Sequence, residues 1–263
     1  ANTEYFNAGM DSTILQGAQL SGGSRAVELG LITLKGTKSL ANVMFILGLL
    51  TAAGILYTSY VNTGSTFNAF YAAIIALIGV FVGYFYTAKP VRLSSRYGLG
   101  ELSIFLSFGP LLTLGTGFAI ANETIQLFSN EFYNLILLGI PIGLLTTNIL
   151  FINQYPDYAS DKKVGKNHLV VLLGKKSSRW IYALNLAIAV GSLYYISENI
   201  LNQTQGSLFL YLLIPVTMIY SYYLIAGLFK HYNSRSLIKY NIHTIYFHML
   251  FSFIYMVILA NFQ

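Results

Sequence analysis

The chain has 263 residues, of which 55% are hydrophobic and only 9% are charged, and its mean hydropathy is +0.61. Soluble domains carry about a quarter charged residues, so this composition excludes an ordinary soluble domain and predicts an integral membrane protein. The absence of cysteine excludes disulfide bonds, thiolate metal sites and cysteine nucleophiles.

Taken in chain order, the sequence begins with a more polar segment, residues 1–32, which has too few apolar residues to span a bilayer. Seven apolar stretches follow, each close to the length of about 20 residues that a transmembrane helix needs. They are predicted at 40–61, 67–87, 101–121, 132–154, 178–197, 206–229 and 243–262. Because they lack the alternation of a barrel strand, they predict an all-α, polytopic transmembrane bundle that forms one domain over residues 1–263.

The basic residues lie in every second connection between these stretches. The 15 of them are Arg25, Lys35, Lys38, Lys89, Arg92, Arg96, Lys162, Lys163, Lys166, Lys175, Lys176, Arg179, Lys230, Arg235 and Lys239. The intervening connections carry only acidic charges, at Glu123, Glu131 and Glu198. The positive-inside rule therefore predicts that the basic connections face the cytoplasm. This placement accounts for the net charge of +6, so we expect no nucleic-acid partner.

A column of oxygen-bearing side chains follows the fourth apolar stretch. Asn153, Asp157 and Asp161 are spaced i, i+4, i+8, so on a helix they share one face over about two turns. Carboxylates in such a column can hold Mg²⁺ together with substrate phosphates. Lys162 and Lys163 add positive charge that suits a diphosphate. An isolated Asp-x3-Asp is more often a solvated helix end, so this pattern needs support from the rest of the chain.

A second column with the same spacing lies near the start of the sequence. Thr3, Asn7 and Asp11 are spaced i, i+4, i+8, and Glu4 shares a helix face with Asn7 and Asp11. Both columns lie at predicted cytoplasmic ends of spans. We expect them to face each other across the bundle and to bind two metal ions against one diphosphate.

Several stretches resemble the UbiA family of intramembrane prenyltransferases, and most closely its menaquinone branch, which prenylates dihydroxynaphthoate. The stretch from Asn153 to Gly174 resembles the family's second aspartate-rich motif, and residues 86–90 and 98–111 resemble that branch as well. The family has nine helices, with its first motif at the end of the second. The resemblance therefore implies that one whole helix and most of another precede Ala1.

The family's first motif usually reads Asn-x3-Asp with a further aspartate, whereas this chain offers Thr3, Asn7 and Asp11. Glu4 is adjacent and is a candidate to compensate for the neutral Asn7. The tyrosine-to-lysine signature of the family is also imperfect, since Tyr86 lies three residues before Lys89.

The resemblance implies a Mg²⁺-dependent transferase in menaquinone biosynthesis. Its partners would be a polyprenyl diphosphate such as geranylgeranyl diphosphate, the aromatic acceptor 1,4-dihydroxy-2-naphthoate, which would lose its carboxylate, and the membrane lipid. The metal ligands would be Asn7, Asp11, Asn153, Asp157, Asp161 and Glu4, the other catalytic residues Tyr155 and Tyr158, and the diphosphate-binding residues Lys89, Arg92, Lys162, Lys163 and Arg25. The two tyrosines would stabilise an allylic cation through their ring faces.

Two alternatives stay open at this point. One is the same superfamily with another acceptor, either a glycerol-phosphate lipid of archaeal ether-lipid synthesis or another quinone precursor. The other is a secondary transporter, which is disfavoured because the acids lie at the rim of the predicted bundle rather than near its midplane. His168 is a candidate general base, although a lone histidine in a basic loop is more often solvated surface.

Overall fold

The computed structural model describes residue 27 and residues 30–201 and 205–261. Within these ranges the chain contains no β-strand, and an isolated bridge pairs Arg96 with Asn167. The predicted all-α class is confirmed.

The described residues form eight α-helices, which we number in chain order. They are α1 (Leu34–Thr63), α2 (Thr66–Thr87), α3 (Leu99–Phe108), α4 (Pro110–Ile120), α5 (Asn130–Lys163), α6 (Leu169–Asn199), α7 (Gln205–His231) and α8 (Leu237–Asn261). A short 3₁₀ helix, Leu93–Ser95, lies between α2 and α3. Because α3 and α4 together make one span, seven helical segments are long and apolar enough to cross a bilayer.

The third span is broken at Gly109–Pro110 and packs tightly against α5. Pro110 has no backbone N–H to donate, and it begins α4 at the position where proline is tolerated. A Cβ atom at Gly139 would lie 2.5 Å from the carbonyl carbon of Gly109, and one at Gly143 would lie 3.0 Å from its Cα. Small residues four positions apart let two membrane helices approach closely. The two glycines of α5 therefore position the broken span.

The larger hydrophobic core lies among α5, α6, α7 and α8. Its fully buried members include Phe151, Tyr182, Leu186, Leu224 and Leu228. A smaller core lies where α2, α4 and the start of α5 meet. Apolar side chains are exposed along α1, α2 and the outer faces of the other helices. An apolar surface of this extent suits contact with lipid, and the chain is an integral, multi-pass membrane protein.

α5 continues well beyond the apolar stretch that predicted it. The stretch ends at residue 154, whereas the helix runs through Pro156 to Lys163. Its last turns lie with the α2–α3 connection (88–98) and the α5–α6 loop (164–168) at one end of the bundle. We call this end the basic face, because these segments carry basic residues and the segments at the opposite end carry acidic ones.

Candidate active site at the basic face

The predicted oxygen column lies on one helix. α5 is continuous from Asn130 to Lys163, so the spacing of Asn153, Asp157 and Asp161 places them on one face over about two turns. All three residues are half-buried. The column therefore has the local geometry that the sequence predicted, at the basic face.

Asp161 is bonded to two residues of the loop that follows its helix. Lys166 Nζ lies 2.9 Å and His168 Nε2 lies 3.0 Å from the same carboxylate oxygen, Oδ2. The backbone N–H of Lys166 also donates to the backbone carbonyl of Asp161 at 2.9 Å, and this bond folds the loop back on α5. Lys166 thus neutralises part of the charge of the column.

His168 is buried, with 1% of its surface exposed, so the expectation of a solvated histidine is wrong. The physical reason is that the ring caps α6: its Nδ1 accepts a hydrogen bond from the Val171 N–H at 3.4 Å. Nε2 therefore carries the ring hydrogen and donates a hydrogen bond to Asp161 Oδ2. With both nitrogens engaged, His168 acts as a positioning group here rather than as a free base.

The amide of Asn153 is held by a helix that sequence reasoning did not connect with the site. Asn241 of α8 donates from Nδ2 to Asn153 Oδ1 at 3.0 Å. Asn241 is 3% exposed, and its Oδ1 has no hydrogen-bond partner among the described residues. The two asparagines are 88 positions apart, and no local pattern could have paired them.

Glu101 is a second buried residue that sequence reasoning had given no role. It lies in the first turn of α3 and is 4% exposed. Its Oε1 accepts hydrogen bonds from Gln154 Nε2 and from the Leu169 N–H, each at 2.9 Å. One carboxylate oxygen thus joins α3, α5 and the start of α6.

The two predicted tyrosines occupy different surroundings. Tyr155 is fully buried in the core, and its hydroxyl pairs with Ser178 Oγ at 2.8 Å. This position favours a packing role, and a catalytic role for Tyr155 stays a prediction. Tyr158 is half-buried, and its ring centroid lies 5.8 Å from Lys162 Nζ and 5.6 Å from Lys175 Nζ. Lys175 was not among the predicted site residues.

The remaining predicted cations are spread over the basic face. Lys89, Lys162 and Lys163 are exposed. Arg92 lines a cavity of about 120 Å³ together with Asn167 of the α5–α6 loop and other residues of both connections. This cavity brings Arg92 to the loop whose other residues bond to Asp161.

The α2–α3 connection is tied to the same loop by backbone hydrogen bonds. The Tyr97 N–H donates to the Asn167 carbonyl at 2.8 Å, and the Asn167 N–H donates to the Ser95 carbonyl at 3.3 Å. Arg96 braces the connection by donating to the carbonyls of Val91 and Pro90, each at 3.0 Å. The α2–α3 connection and the α5–α6 loop are therefore parts of one assembly, although they are far apart in sequence.

Five residues of the predicted site lie outside the described ranges. They are Thr3, Glu4, Asn7, Asp11 and Arg25. The meeting of two columns across the bundle therefore stays a prediction.

The side chains of α5 fit one half of a Mg²⁺ site by their donor chemistry. They offer two carboxylates and an amide oxygen, and Mg²⁺ is usually bound by one or two carboxylates plus substrate phosphates. Within the described ranges no three acidic, histidine or cysteine residues cluster tightly enough to hold a metal ion unaided. A complete site would need oxygen ligands from a substrate or from elsewhere in the chain.

Comparisons with known proteins show which family the chain resembles. The sequence profile of the UbiA prenyltransferase family matches residues 24–255. The 1,4-dihydroxy-2-naphthoate octaprenyltransferase of Bacillus subtilis is 31% identical over 46% of this chain and 37% of its own length. The enzyme of that name from Haemophilus influenzae is 28% identical over 63% of this chain and 50% of its own length. The 2-carboxy-1,4-naphthoquinone phytyltransferase of Synechocystis is 34% identical over 47% of this chain and 37% of its own length.

The chain thus aligns with between about a third and a half of the length of these relatives. No solved structure matches it. The resemblance to the family, and within it to the branch of the naphthoate prenyltransferases, is confirmed. The profile match covers most of the sequence, and the chain belongs to the UbiA prenyltransferase family.

Proposed function

We propose that the chain is a membrane prenyltransferase that moves a polyprenyl chain from an allylic diphosphate to 1,4-dihydroxy-2-naphthoate. Family membership and the activities for which the relatives are named support the reaction class. The structural observation that carries the proposal is the column of Asn153, Asp157 and Asp161 at the basic end of α5. We also propose that this basic face is cytoplasmic, because all 15 basic residues fall in the sequence segments that the positive-inside rule assigns to that side.

The leaving diphosphate is the group that the basic face is suited to bind. Lys162 and Lys163 follow the column directly and are exposed, so their ammonium groups are available to an anion. Lys89 and Arg92 lie in the connection that is bonded to the α5–α6 loop. Arg25 is a further candidate from outside the described residues.

Asn153, Asp157 and Asp161 would hold Mg²⁺ from α5, and Glu4, Asn7 and Asp11 are proposed as its ligands from the other column. When bound, Mg²⁺ supplies positive charge that offsets the charge developing on the diphosphate as it leaves. Asn241, His168 and Lys166 hold the first and last members of the α5 column in place.

The allylic carbon must be shielded from water after its bond to the diphosphate oxygen breaks. Tyr158 presents an aromatic ring beside the column, and such a face stabilises a carbocation through its electron density. A new C–C bond then forms at the naphthoate carbon that bears the carboxylate. Loss of CO₂ returns the bonding electrons to the ring, so no proton has to be removed from that carbon. The reaction at that carbon therefore needs no free base, and His168, beside the column, has both ring nitrogens engaged in hydrogen bonds.

A different acceptor within the same family is the second candidate. A glycerol-phosphate lipid or another quinone precursor would use the same column and the same cations, because these residues bind the diphosphate that all such reactions share. The acceptor must therefore be identified by assay.

The proposal is tested with the purified protein in lipid nanodiscs. It is incubated with geranylgeranyl diphosphate, Mg²⁺ and, in separate reactions, 1,4-dihydroxy-2-naphthoate, 4-hydroxybenzoate or geranylgeranylglyceryl phosphate. We expect prenylated naphthol and released CO₂ only with the first acceptor, and no product after EDTA. Product formed only with another acceptor would move the chain to the second candidate, and product that survives EDTA would contradict the metal requirement.

A further inference from the structure

We infer that Glu101 is a positioning residue that holds the aspartate column of α5 in register with the start of α6. The inference rests on the proposed function, because it assigns to Glu101 the task of shaping the diphosphate site. Glu101 itself lies on α3 and is not a member of either predicted column.

Glu101 accepts its two hydrogen bonds from residues that lie next to the two ends of the column. Gln154, the first donor, directly follows Asn153, the first member of the column. Leu169, the second donor, directly follows His168, which bonds to Asp161, the last member.

These two bonds converge on a single oxygen, Glu101 Oε1, at 2.9 Å each. The separation between α5 at residue 154 and the first turn of α6 is thereby fixed by one atom. A shift of α6 along α5 would break a bond to Glu101 and would draw His168 away from Asp161 at the same time. The carboxylate thus couples the start of α6 to the column.

The burial of a carboxylate at this position favours a hydrogen-bonding role for Glu101 over simple packing. A carboxylate that is 4% exposed is costly to bury and must recover that cost through hydrogen bonds. Glu101 also lies in the first turn of α3, where the helix dipole favours a negative charge. Its Oε2 and the Oε1 of Gln154 have no hydrogen-bond partner among the described residues. The contribution of the side chain in this structure is therefore the bonding of Oε1.

The substitution Glu101→Gln separates this role from a role of the charge itself. Glutamine keeps a carbonyl oxygen that can accept both hydrogen bonds, and it removes the negative charge. If Glu101 positions the column, Glu101→Gln should behave as the wild type, whereas Glu101→Leu should not.

The matched control is Asn68 at the opposite end of the bundle. It is fully buried and also bridges to a connection, since it donates to the Glu123 carbonyl at 2.9 Å and accepts from the Ile125 N–H at 3.0 Å. Asn68→Leu therefore removes two comparable hydrogen bonds without touching the basic face.

The readout is Mn²⁺ binding in the presence of geranylgeranyl thiolodiphosphate, followed by electron paramagnetic resonance, with thermal unfolding measured on the same samples. We expect both leucine variants to lower the unfolding temperature. Only Glu101→Leu should weaken Mn²⁺ binding, by about tenfold, as is typical when the support of a metal ligand is lost. Glu101→Gln should retain the wild-type affinity.

Three outcomes separate the inference from the proposed function. If the wild type binds no Mn²⁺ with the diphosphate analogue, the proposed function fails. If the wild type binds and Glu101→Leu binds equally well, or Asn68→Leu loses as much affinity, the positioning role is wrong. If Glu101→Leu does not fold, Gln154→Leu, which removes one of the two hydrogen bonds, is measured in its place and judged by the same criteria.

Discussion

His168 and Asp161 are joined across the loop between α5 and α6, with His168 Nε2 3.0 Å from Asp161 Oδ2. The other ring nitrogen, Nδ1, accepts a hydrogen bond from the Val171 N–H. Since Nδ1 is an acceptor, the ring hydrogen must lie on Nε2. The histidine thus fixes the rotamer of the last aspartate in the column while it caps α6. An aspartate held in this way is preorganised for a ligand that approaches its other oxygen.

Replacing His168 should weaken the site without removing a metal ligand. We expect His168→Ala to raise the Mg²⁺ concentration needed for half-maximal activity by about tenfold, because Asp161 loses one of its two side-chain partners. The measurement is a Mg²⁺ titration of prenyl transfer. His231→Ala is the control, since His231 stacks on Tyr240 and its Nδ1 pairs with Ser234 rather than with a member of the column. Equal titration curves for His168→Ala and wild type would contradict this role.

Asn241 should affect the Mg²⁺ requirement of the enzyme through its hydrogen bond to Asn153. Asn241→Leu removes the hydrogen bond that orients the Asn153 amide, and we expect an increase of about tenfold in the Mg²⁺ requirement. The matched control is Asn185→Leu, which removes a similar amide pair, Asn185 with Asn148 at 2.9 Å, elsewhere in the bundle. If the two variants shift the Mg²⁺ titration equally, the effect of Asn241 is one of general stability.

The aromatic ring of Tyr158 should contribute more to kcat than its hydroxyl group does. Tyr158→Phe keeps the aromatic face beside Lys162 and Lys175 and should retain kcat. Tyr158→Leu should lower kcat by about tenfold, an effect between those of an exposed and a fully desolvated cation–π contact. Both are measured at saturating diphosphate and acceptor. Tyr222→Leu, at a tyrosine that is 74% exposed on α7, is the control for loss of an aromatic ring. A Tyr158→Leu enzyme with wild-type kcat would remove Tyr158 from the cation site.

The close crossing of the broken third span on α5 should be sensitive to a single methyl group. We expect Gly139→Ala to destabilise the folded protein by about 1–3 kcal/mol, because its Cβ would meet the Gly109 backbone at 2.5 Å. Thermal unfolding in one fixed detergent measures the effect. Gly48→Ala is the control, since among the described residues no atom beyond the neighbouring backbone of α1 lies within 4 Å of the added Cβ. An unfolding temperature unchanged by Gly139→Ala would show that the two backbones do not approach as described.

The spans and the α5 column were predictable because each is a local pattern. Continuous apolar runs of sufficient length indicate membrane helices, and the spacing of Asn153, Asp157 and Asp161 defines a helix face whatever surrounds it. The break at Gly109–Pro110 was not predictable from proline alone, because α5 continues through both Pro141 and Pro156.

The supports of the column were not predictable from local patterns. Glu101 meets Leu169 across 68 positions, and Asn241 meets Asn153 across 88. Such pairs depend on which helices become neighbours in the bundle. The burial of His168 was not predicted for a related reason. Its loop is basic and polar, but its ring is buried because it caps α6 and bonds to Asp161.

The most direct test of the account is prenyl transfer by Asp157→Asn and Asp161→Asn variants. Both substitutions keep the shape of the side chain and remove the negative charge that a metal–diphosphate requires. Activity with geranylgeranyl diphosphate and 1,4-dihydroxy-2-naphthoate is compared with that of wild type and of Glu123→Gln, which removes a charge from the opposite end of the bundle. We expect the two aspartate variants to lose at least about a hundredfold in kcat/KM, with Glu123→Gln unchanged. Aspartate variants that fold and retain wild-type activity would contradict the assignment of the column on α5 as the diphosphate site.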